Sequence, residues 1–354
     1  MDRNFKQQII NQAKHIDIDK IGFTHAGDFE YLRPEMIHHI EKGYTTGFEH
    51  ENLDERLNPK QLMNDAKSII SIALAYPSQI KKEKIEKTND IPRGQIARTS
   101  WGHDYHRLLS RKMNRLISLI KHEIGDEFKF IPMVDTGALI DVAVAKRAGL
   151  GYIGRNGLLI TKEFGSFVFL GEIITNLEID PDKPLSTSCY DCMKCVKACP
   201  GGALLSDAKM NGHKCLSYIT QKKGVIPLEY REKIGNVIYG CDICQLVCPC
   251  NQGKDFHLHD EMKPVADDVL PDLEALIVMS NKEFKQKYGF MACSWRGKNP
   301  IQRNAIYALA NMKSVSSIPL LEELASNDPR EEIRDGASWA ICAIKNHYQK
   351  ALKW

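Results

Sequence analysis

Cys189-Tyr-Asp-Cys192-Met-Lys-Cys195-Val-Lys-Ala-Cys199-Pro200 and Cys241-Asp-Ile-Cys244-Gln-Leu-Val-Cys248-Pro249 decide how the rest of the chain is read. Thiolates bind iron well because sulfur is soft and a metal-bound thiol gives up its proton. Two-residue gaps let one tight loop present three thiolates to a cubane, and the fourth cysteine of such a run serves the neighbouring cluster. Cys215 stands between the two runs and completes two sets of four. The spacing assigns Cys189, Cys192, Cys195 and Cys248 to one 4Fe-4S cluster, and Cys199, Cys215, Cys241 and Cys244 to the other. Paired structural zinc sites are the competing reading, because CxxC pairs also bind zinc. Two linked runs that each end in Cys-Pro favour the clusters. Cys250, Cys293 and Cys342 fall outside the pattern and are expected to be buried or inert thiols.

The composition around this stretch narrows the class. Eleven cysteines in 354 residues are too few and too clustered for a disulfide scaffold, so a reducing, cytoplasmic setting is expected. The start, MDRNFKQQIINQAK, lacks the apolar core of a secretory signal. No run of about eighteen apolar residues occurs, so no membrane span is expected. With 43% hydrophobic and 26% charged residues the chain reads as globular, and its length suits two or three domains. A net charge of +3 is too small to identify a polyanionic partner, so the distribution of charge matters more.

Outward from the cysteines, composition changes near residue 178, and Asp180-Pro-Asp-Lys-Pro184 reads as a linker. The segment before it alternates helix and strand patterns, which suggests an α/β catalytic layer. Residues 3–14 carry apolar positions at helical spacing, and Ile18–Phe23 suggests a strand. The β-branched run Lys67–Tyr76 reads as a core strand. Asp104–Ile124 is the clearest helix, with Leu108, Leu109, Met113, Leu116, Leu119 and Ile120 on one face. Strands are expected over Phe128–Val134, Leu158–Thr161 and Phe167–Asn176, with a helix over Ala138–Arg147. Beyond residue 255 come loops and short helices. From Pro300 the pattern is wholly helical, over Ile301–Met312, Ile318–Ala325 and Ile333–His347, like one and a half HEAT repeats leaning on a neighbour.

Two clusters conduct electrons but need an acceptor. Taken in order, Lys20-Ile-Gly-Phe23, Ser100-Trp-Gly-His-Asp-Tyr-His106, Val134-Asp-Thr-Gly137, Ala148-Gly-Leu-Gly151, Gly171-Glu-Ile-Ile-Thr175, the double cysteine run and Ser294-Trp-Arg-Gly-Lys-Asn-Pro-Ile-Gln-Arg-Asn304 resemble the epoxyqueuosine reductases over the full length. The resemblance implies an α+β multidomain chain. Residues 1–178 would be a nitroreductase-like α/β cobalamin domain, and 179–255 a ferredoxin-like two-cluster domain. Residues 256–298 would form a connecting, tRNA-contacting segment, and 299–354 a HEAT-like helical domain. It implies reduction of epoxyqueuosine to queuosine at the tRNA wobble position by Co(I) cobalamin, fed through the clusters by a reductant protein, in a monomer. Cobalamin contacts would come from Arg56, Ala97, Asp135, Arg155, Asn156, Leu159, Leu170, Ser217 and Asp242. The Asp-x-His-x-x-Gly cobalamin loop is absent: Asp104-Tyr-His106 begins it, but Leu109 stands where glycine would be.

Asp135 is the expected general acid, since opening an epoxide leaves an alkoxide that a proton neutralises. That role calls for a dry site with a raised pKa; the alternative is an N-cap for the Ala138 helix. Glu172 reads equally as a buried polar contact or a second site acid. On the RNA side, Lys282, Lys285, Lys287, Arg296, Lys298 and Arg303 face one acid, Glu283, and interleave with Phe284, Tyr288, Phe290 and Trp295. Basic groups neutralise phosphates and aromatics stack on splayed bases, although a solvated face is the commoner meaning of such a run. Lys222 and Lys223 are expected at the mouth of the site. The alternatives are a corrinoid reductive dehalogenase-like reductase of a small molecule, and an iron–sulfur electron-carrier subunit.

Overall fold

The computed structural model describes residues 3–80, 91–206 and 209–351. Strand Ser68–Ala75 is the axis of the first half, with all eight residues buried. A continuous β-branched run of this kind suits a strand covered on both sides. Its alternation sends Ile70, Ile72 and Leu74 to one face. There they meet Ile9 and Ala13 of helix Arg3–His15 and Leu108, Leu109, Met113 and Leu116 of helix Tyr105–Ile124. Leu109, the residue in place of the missing glycine, is therefore a core side chain. On the other face Ile69 packs against Ala143 and Val144 of helix Asp141–Arg147. The sheet runs Lys20–His25, Ser68–Ala75, Val168–Thr175, Phe130–Met133, antiparallel throughout.

A second core gathers the helical end. Gln95–Ile96 pairs in parallel with Val237–Tyr239, and Ile96 and Trp101 join Ile238, Leu273, Leu276 and Ile301 in one apolar cluster. Helix Lys298–Asn311 is its centre, buried continuously from Pro300 to Ala310. Helix Glu331–Ala351 packs onto it, and helix Ile318–Asn327 packs onto Glu331–Ala351. Residues 95–101 thus belong to the early sequence but to the late core, and they tie the α/β layer to everything beyond residue 178. No helix among the described residues is long and apolar enough to cross a membrane.

Two expectations change. The helix expected from Ala138 begins at Asp141, capped by Ile140. Residues 134–140 are instead a loop turned through Asp135 at φ +49°, a left-handed conformation uncommon for a residue with a Cβ. The cap reading of Asp135 is thereby overturned.

Arg303, expected on the RNA-facing surface, is 0% exposed. Its guanidinium donates to the carbonyls of Lys222 at 2.8 Å and Gly224 at 2.5 Å, and to Asn304 Oδ1 at 2.9 Å. Lys222 and Gly224 follow helix Leu216–Gln221, so a cation here satisfies carbonyls that a helix end leaves open. Helical periodicity cannot distinguish such a strut from a surface arginine. Arg303→Leu strands several buried carbonyls, and each hydrogen bond to a charged group contributes roughly 1.5–3 kcal/mol. The thermal midpoint of the variant should fall by roughly 5–10 °C. A variant of unchanged midpoint but weakened tRNA binding would return Arg303 to the RNA surface.

Candidate active site and cluster loops

Asp135 projects from the loop that follows strand Phe130–Met133. Its Oδ2 accepts from the Tyr105 hydroxyl at 2.9 Å and meets His106 Nε2 at 3.3 Å. Tyr105 and His106 open helix Tyr105–Ile124, and Asp104 caps it. Tyr105 is fixed by stacking on Phe169 at 4.0 Å with the rings almost coplanar, and Asp104 Oδ1 holds His106 Nδ1 at 2.7 Å. The His106 hydrogen bond lowers the Asp135 pKa more than partial burial raises it, and Tyr105 adds to the lowering. Burial opposes charge on His106, but hydrogen bonds to Asp104 and Asp135 outweigh it and push its pKa up to about 9. The expectation of a dry, protonated Asp135 is therefore corrected. In this conformation the carboxylate is ionised, and the proton beside it resides on His106.

Across the mouth lies the seam between the α/β layer and the second cysteine run. Asp242 Oδ2 accepts from the Arg98 amide at 2.9 Å and from Arg98 Nη1 at 3.0 Å. Ala97 packs against Gly240, whose φ of +71° suits glycine and where a Cβ would stand 2.4 Å from that of Ala97. Asp242 also lines a cavity of about 30 Å³ with Ala97 and Cys241, and its Oδ1 is buried without a hydrogen bond. Leu159 and Leu170 share one apolar patch. Asn156 Nδ2 is buried and directed at the Cys244 thiol without an ordinary hydrogen bond. Arg155 donates to the carbonyl of Tyr190 at 2.6 Å, inside the first cysteine run. Ser217 Oγ accepts from Gln221 Nε2 at 3.3 Å. Arg56 is half-buried rather than exposed; burial lowers its pKa, and Glu49 and Asp141 support its charge. These residues fit the edge of a large amide-rimmed ligand such as cobalamin: an apolar wall, a small Ala97 and a buried acceptor lacking a donor. A depression of about 550 Å³ between Lys6, Gln7, Ile10, Asp180 and Pro181 includes none of them.

The eight expected ligand thiols form a connected group. Cys195 feels the charge of Cys189 and Cys192, and Cys248 that of Cys189. Cys241 feels Cys215 and Cys199, and Cys244 feels Cys241, Cys215 and Cys195. Burial pushes Cys241 and Cys244 up to about 12; without a cation these thiols stay neutral, and iron would supply the compensating charge. Among the described residues no three such ligands are gathered as for a single metal ion. Cys293 is buried as expected, whereas Cys250 and Cys342 are exposed.

The basic segment divides. Phe284 and Tyr288 are core residues, so they are withdrawn from the expected stacking set. Lys298 Nζ donates to the Met279 carbonyl at 2.8 Å, which half-buries it. Trp295 is 54% exposed, and Phe48, which lies in no recognisable motif, is 41% exposed. Their rings meet edge-on at 5.2 Å, with the Arg296 guanidinium 4.2 Å from one and 4.6 Å from the other. Gln221, held by Ser217, accepts from Trp295 Nε1 at 2.9 Å and sets the indole. Lys222 and Lys223 follow directly in sequence, with Lys223 exposed. Tyr105 and His106, not selected as site residues from the sequence, lie in the Ser100–His106 stretch that carries the resemblance.

Comparison with known proteins agrees with this geometry. Residues 56–136 match the family model described as Epoxyqueuosine reductase QueG, and residues 188–251 match the 4Fe-4S double cluster binding domain. The chain is 54% identical over 347 residues to the epoxyqueuosine reductase of Lactococcus garvieae, covering 98% of both chains. It is 48% identical to that of Bacillus subtilis, covering 96% of this chain and 87% of the relative. A crystal structure of an epoxyqueuosine reductase with a tRNA-Tyr epoxyqueuosine-modified stem loop superposes with a TM-score of 0.93 at 48% identity, covering 96% of this chain and 90% of that one. A Bacillus subtilis structure with an aspartate catalytic loop swung out of the active site superposes at 0.92 with 47% identity, covering 96% and 90%. Two family models in order along one chain, and near full-length identity of about one half, make the chain a member of the epoxyqueuosine reductase family.

Proposed function

We propose that the chain reduces epoxyqueuosine to queuosine in tRNA, using cobalamin and two 4Fe-4S clusters, as a monomer in the cytoplasm served by a separate reductant protein. Residues 1–178 act as the cobalamin-binding layer, 179–255 as the ferredoxin-like unit, 256–298 as the connecting segment that helps meet RNA, and 299–354 as the helical buttress. One observation carries the reading: the position of Gln221. Its Oε1 accepts from Trp295 Nε1 at 2.9 Å, and its Nε2 donates to Ser217 Oγ at 3.3 Å, two residues after Cys215. The exposed aromatic face and the cysteine region therefore meet at one side chain, on the chain that also carries Asp135. A small-molecule dehalogenase has no need of a stacking surface there, and an electron carrier has no need of Asp135.

Cobalamin, when bound, supplies a strongly reducing cobalt centre, and the protein's task is to orient and protonate. Arg56, Ala97, Arg155, Asn156, Leu159, Leu170, Ser217 and Asp242 would hold it. Phe48, Trp295 and Arg296 offer a base-stacking and cationic surface at the mouth, with Lys223 toward phosphate. Reduction of the epoxide to an alkene consumes two electrons and two protons and releases one water. The Asp135–His106–Tyr105 group delivers a proton to the epoxide oxygen as its carbon–oxygen bond breaks. Asp135 carries the proton to the oxygen, and His106 restores it. The left-handed backbone of Asp135 and the swung-out loop described for the Bacillus subtilis relative both suit a side chain that moves during turnover.

Anaerobic reconstitution should load about eight iron atoms per chain, and Cys192→Ala or Cys244→Ala should lose roughly half of them and all turnover. Full iron with normal activity in both variants would remove the cluster assignment. Asp135→Asn keeps the shape and removes the acid. Single-turnover reduction of epoxyqueuosine tRNA should slow by about 10²–10⁴-fold, with iron and tRNA binding intact. Because His106 is protonated below its raised pKa of about 9, the wild-type rate should hold at neutral pH and decline above that value. A fully loaded Asn variant reacting at the wild-type rate would make Asp135 structural.

A further inference from the structure

Glu172 occupies the middle of strand Val168–Thr175, opposite Ser71 on one side and Met133 on the other. It is 1% exposed, and its Oε1 makes no hydrogen bond. Three carboxyl groups converge here. Glu172 hydrogen-bonds the side chain of Asp141, the first residue of helix Asp141–Arg147, and both feel the charge of Asp135. The Asp135 amide also acts on the Asp141 carboxyl as a hydrogen-bond donor. Arg56 is the cation that faces Asp141. Beyond Asp135 stand Tyr105, His106 and Asp104. Among the described residues the charges that act on Glu172 are those of Asp141 and Asp135. At rest two buried carboxyls in contact do not both ionise; one proton is shared between them until a stronger base draws it off. A carboxylate pair of this kind is costly to bury unless the proton is present.

Reduction of an epoxide to an alkene and water places two protons on one oxygen, while the Asp135–His106 group holds one. Once an RNA loop covers the mouth, solvent is a poor source of the second. We propose that Glu172 and Asp141 form a proton reservoir behind Asp135, whose shared proton passes to the Asp135 carboxylate after its first transfer and becomes the second proton of the departing water. The proposal rests on the reductase reading. In the step one proton leaves the pair for the Asp135 carboxylate and passes on to the oxygen, whose carbon–oxygen bond breaks as it departs as water, so Asp135 ends as the carboxylate it began as. Solvent reprotonates the pair and His106 after product release. Burial and the neighbouring carboxyls agree with this: Asp141 is pushed up to about 6 and Glu172 is raised well above its ordinary value, burial being the main cause in both.

The test is Glu172→Gln, which preserves shape and the hydrogen bond to Asp141 but cannot give up a proton, with Asp141→Asn as the second variant should the first misfold. Infrared difference spectra of the reconstituted holoenzyme, wild type minus variant at pH 7, should show one protonated carboxyl carbonyl band in the wild type that the variant lacks. Single-turnover queuosine formation should fall about 10–100-fold in the variant, with iron content, tRNA affinity and thermal midpoint retained. Added formate or acetate, a small proton carrier, should restore part of the rate. A wild-type spectrum without the band, or a variant without the band that reacts at the wild-type rate, overturns the reservoir. Wild-type protein that makes no queuosine from the same tRNA would instead overturn the reductase reading, and the infrared result would still report on the shared proton.

Discussion

The Arg98–Asp242 ion pair is the contact on which the site depends. It is buried on both sides, with side-chain exposures of 13% and 4%, and it joins the end of strand Gln95–Ile96 to the loop between Cys241 and Cys244. Burial raises the Asp242 pKa and Arg98 opposes that rise, so the aspartate stays useful as an acceptor only while the arginine is in place. Breaking one side of such a pair typically costs about 3–5 kcal/mol, because the remaining charge stays buried and unpaired. The parallel pairing of 95–96 with 237–239 and the close fit of Ala97 on Gly240 leave the loop one seating. Cys241 is thereby set beside the layer that carries Asp135.

Proton supply is built on the opposite principle. Asp135 hangs from a left-handed residue on a short loop, restrained by Tyr105, His106 and the carboxyl behind it rather than by packing. Rigid wiring suits electron transfer, which needs fixed distances. A side chain that must reach a substrate and return gains from a light tether, and strained backbone of this type gathers at functional sites. The aromatic pair Phe48 and Trp295 shows the same economy: one ring comes from an early loop, the other from the far side of the cluster region, and Arg296 spans them.

Much of this is legible in the sequence where chemistry is local. The cysteine spacings report loop geometry directly, and the buried strand Ser68–Ala75 announces itself by eight apolar or small residues in a row. The long helix is found by its periodicity to within a residue. Long-range facts are not. Arg303 reads like its basic neighbours, yet helix 298–311 turns it inward onto carbonyls some eighty positions earlier. Phe284 and Tyr288 look like stacking residues because aromatic identity is the same in a core and at an RNA face. Asp135 meets His106, twenty-nine positions away, and that contact inverts the expected direction of its pKa.

The seam can be tested without disturbing any thiol or the acid. Arg98→Met removes the guanidinium while keeping most of the side-chain volume. In anaerobically reconstituted protein with full iron and unchanged tRNA affinity, single-turnover formation of queuosine, read by nucleoside mass analysis, should fall at least about tenfold if loop seating governs the rate, a loss equivalent to about 1.4 kcal/mol of barrier. Queuosine formed at the wild-type rate by that loaded variant would contradict the claim that this ion pair sets the working geometry.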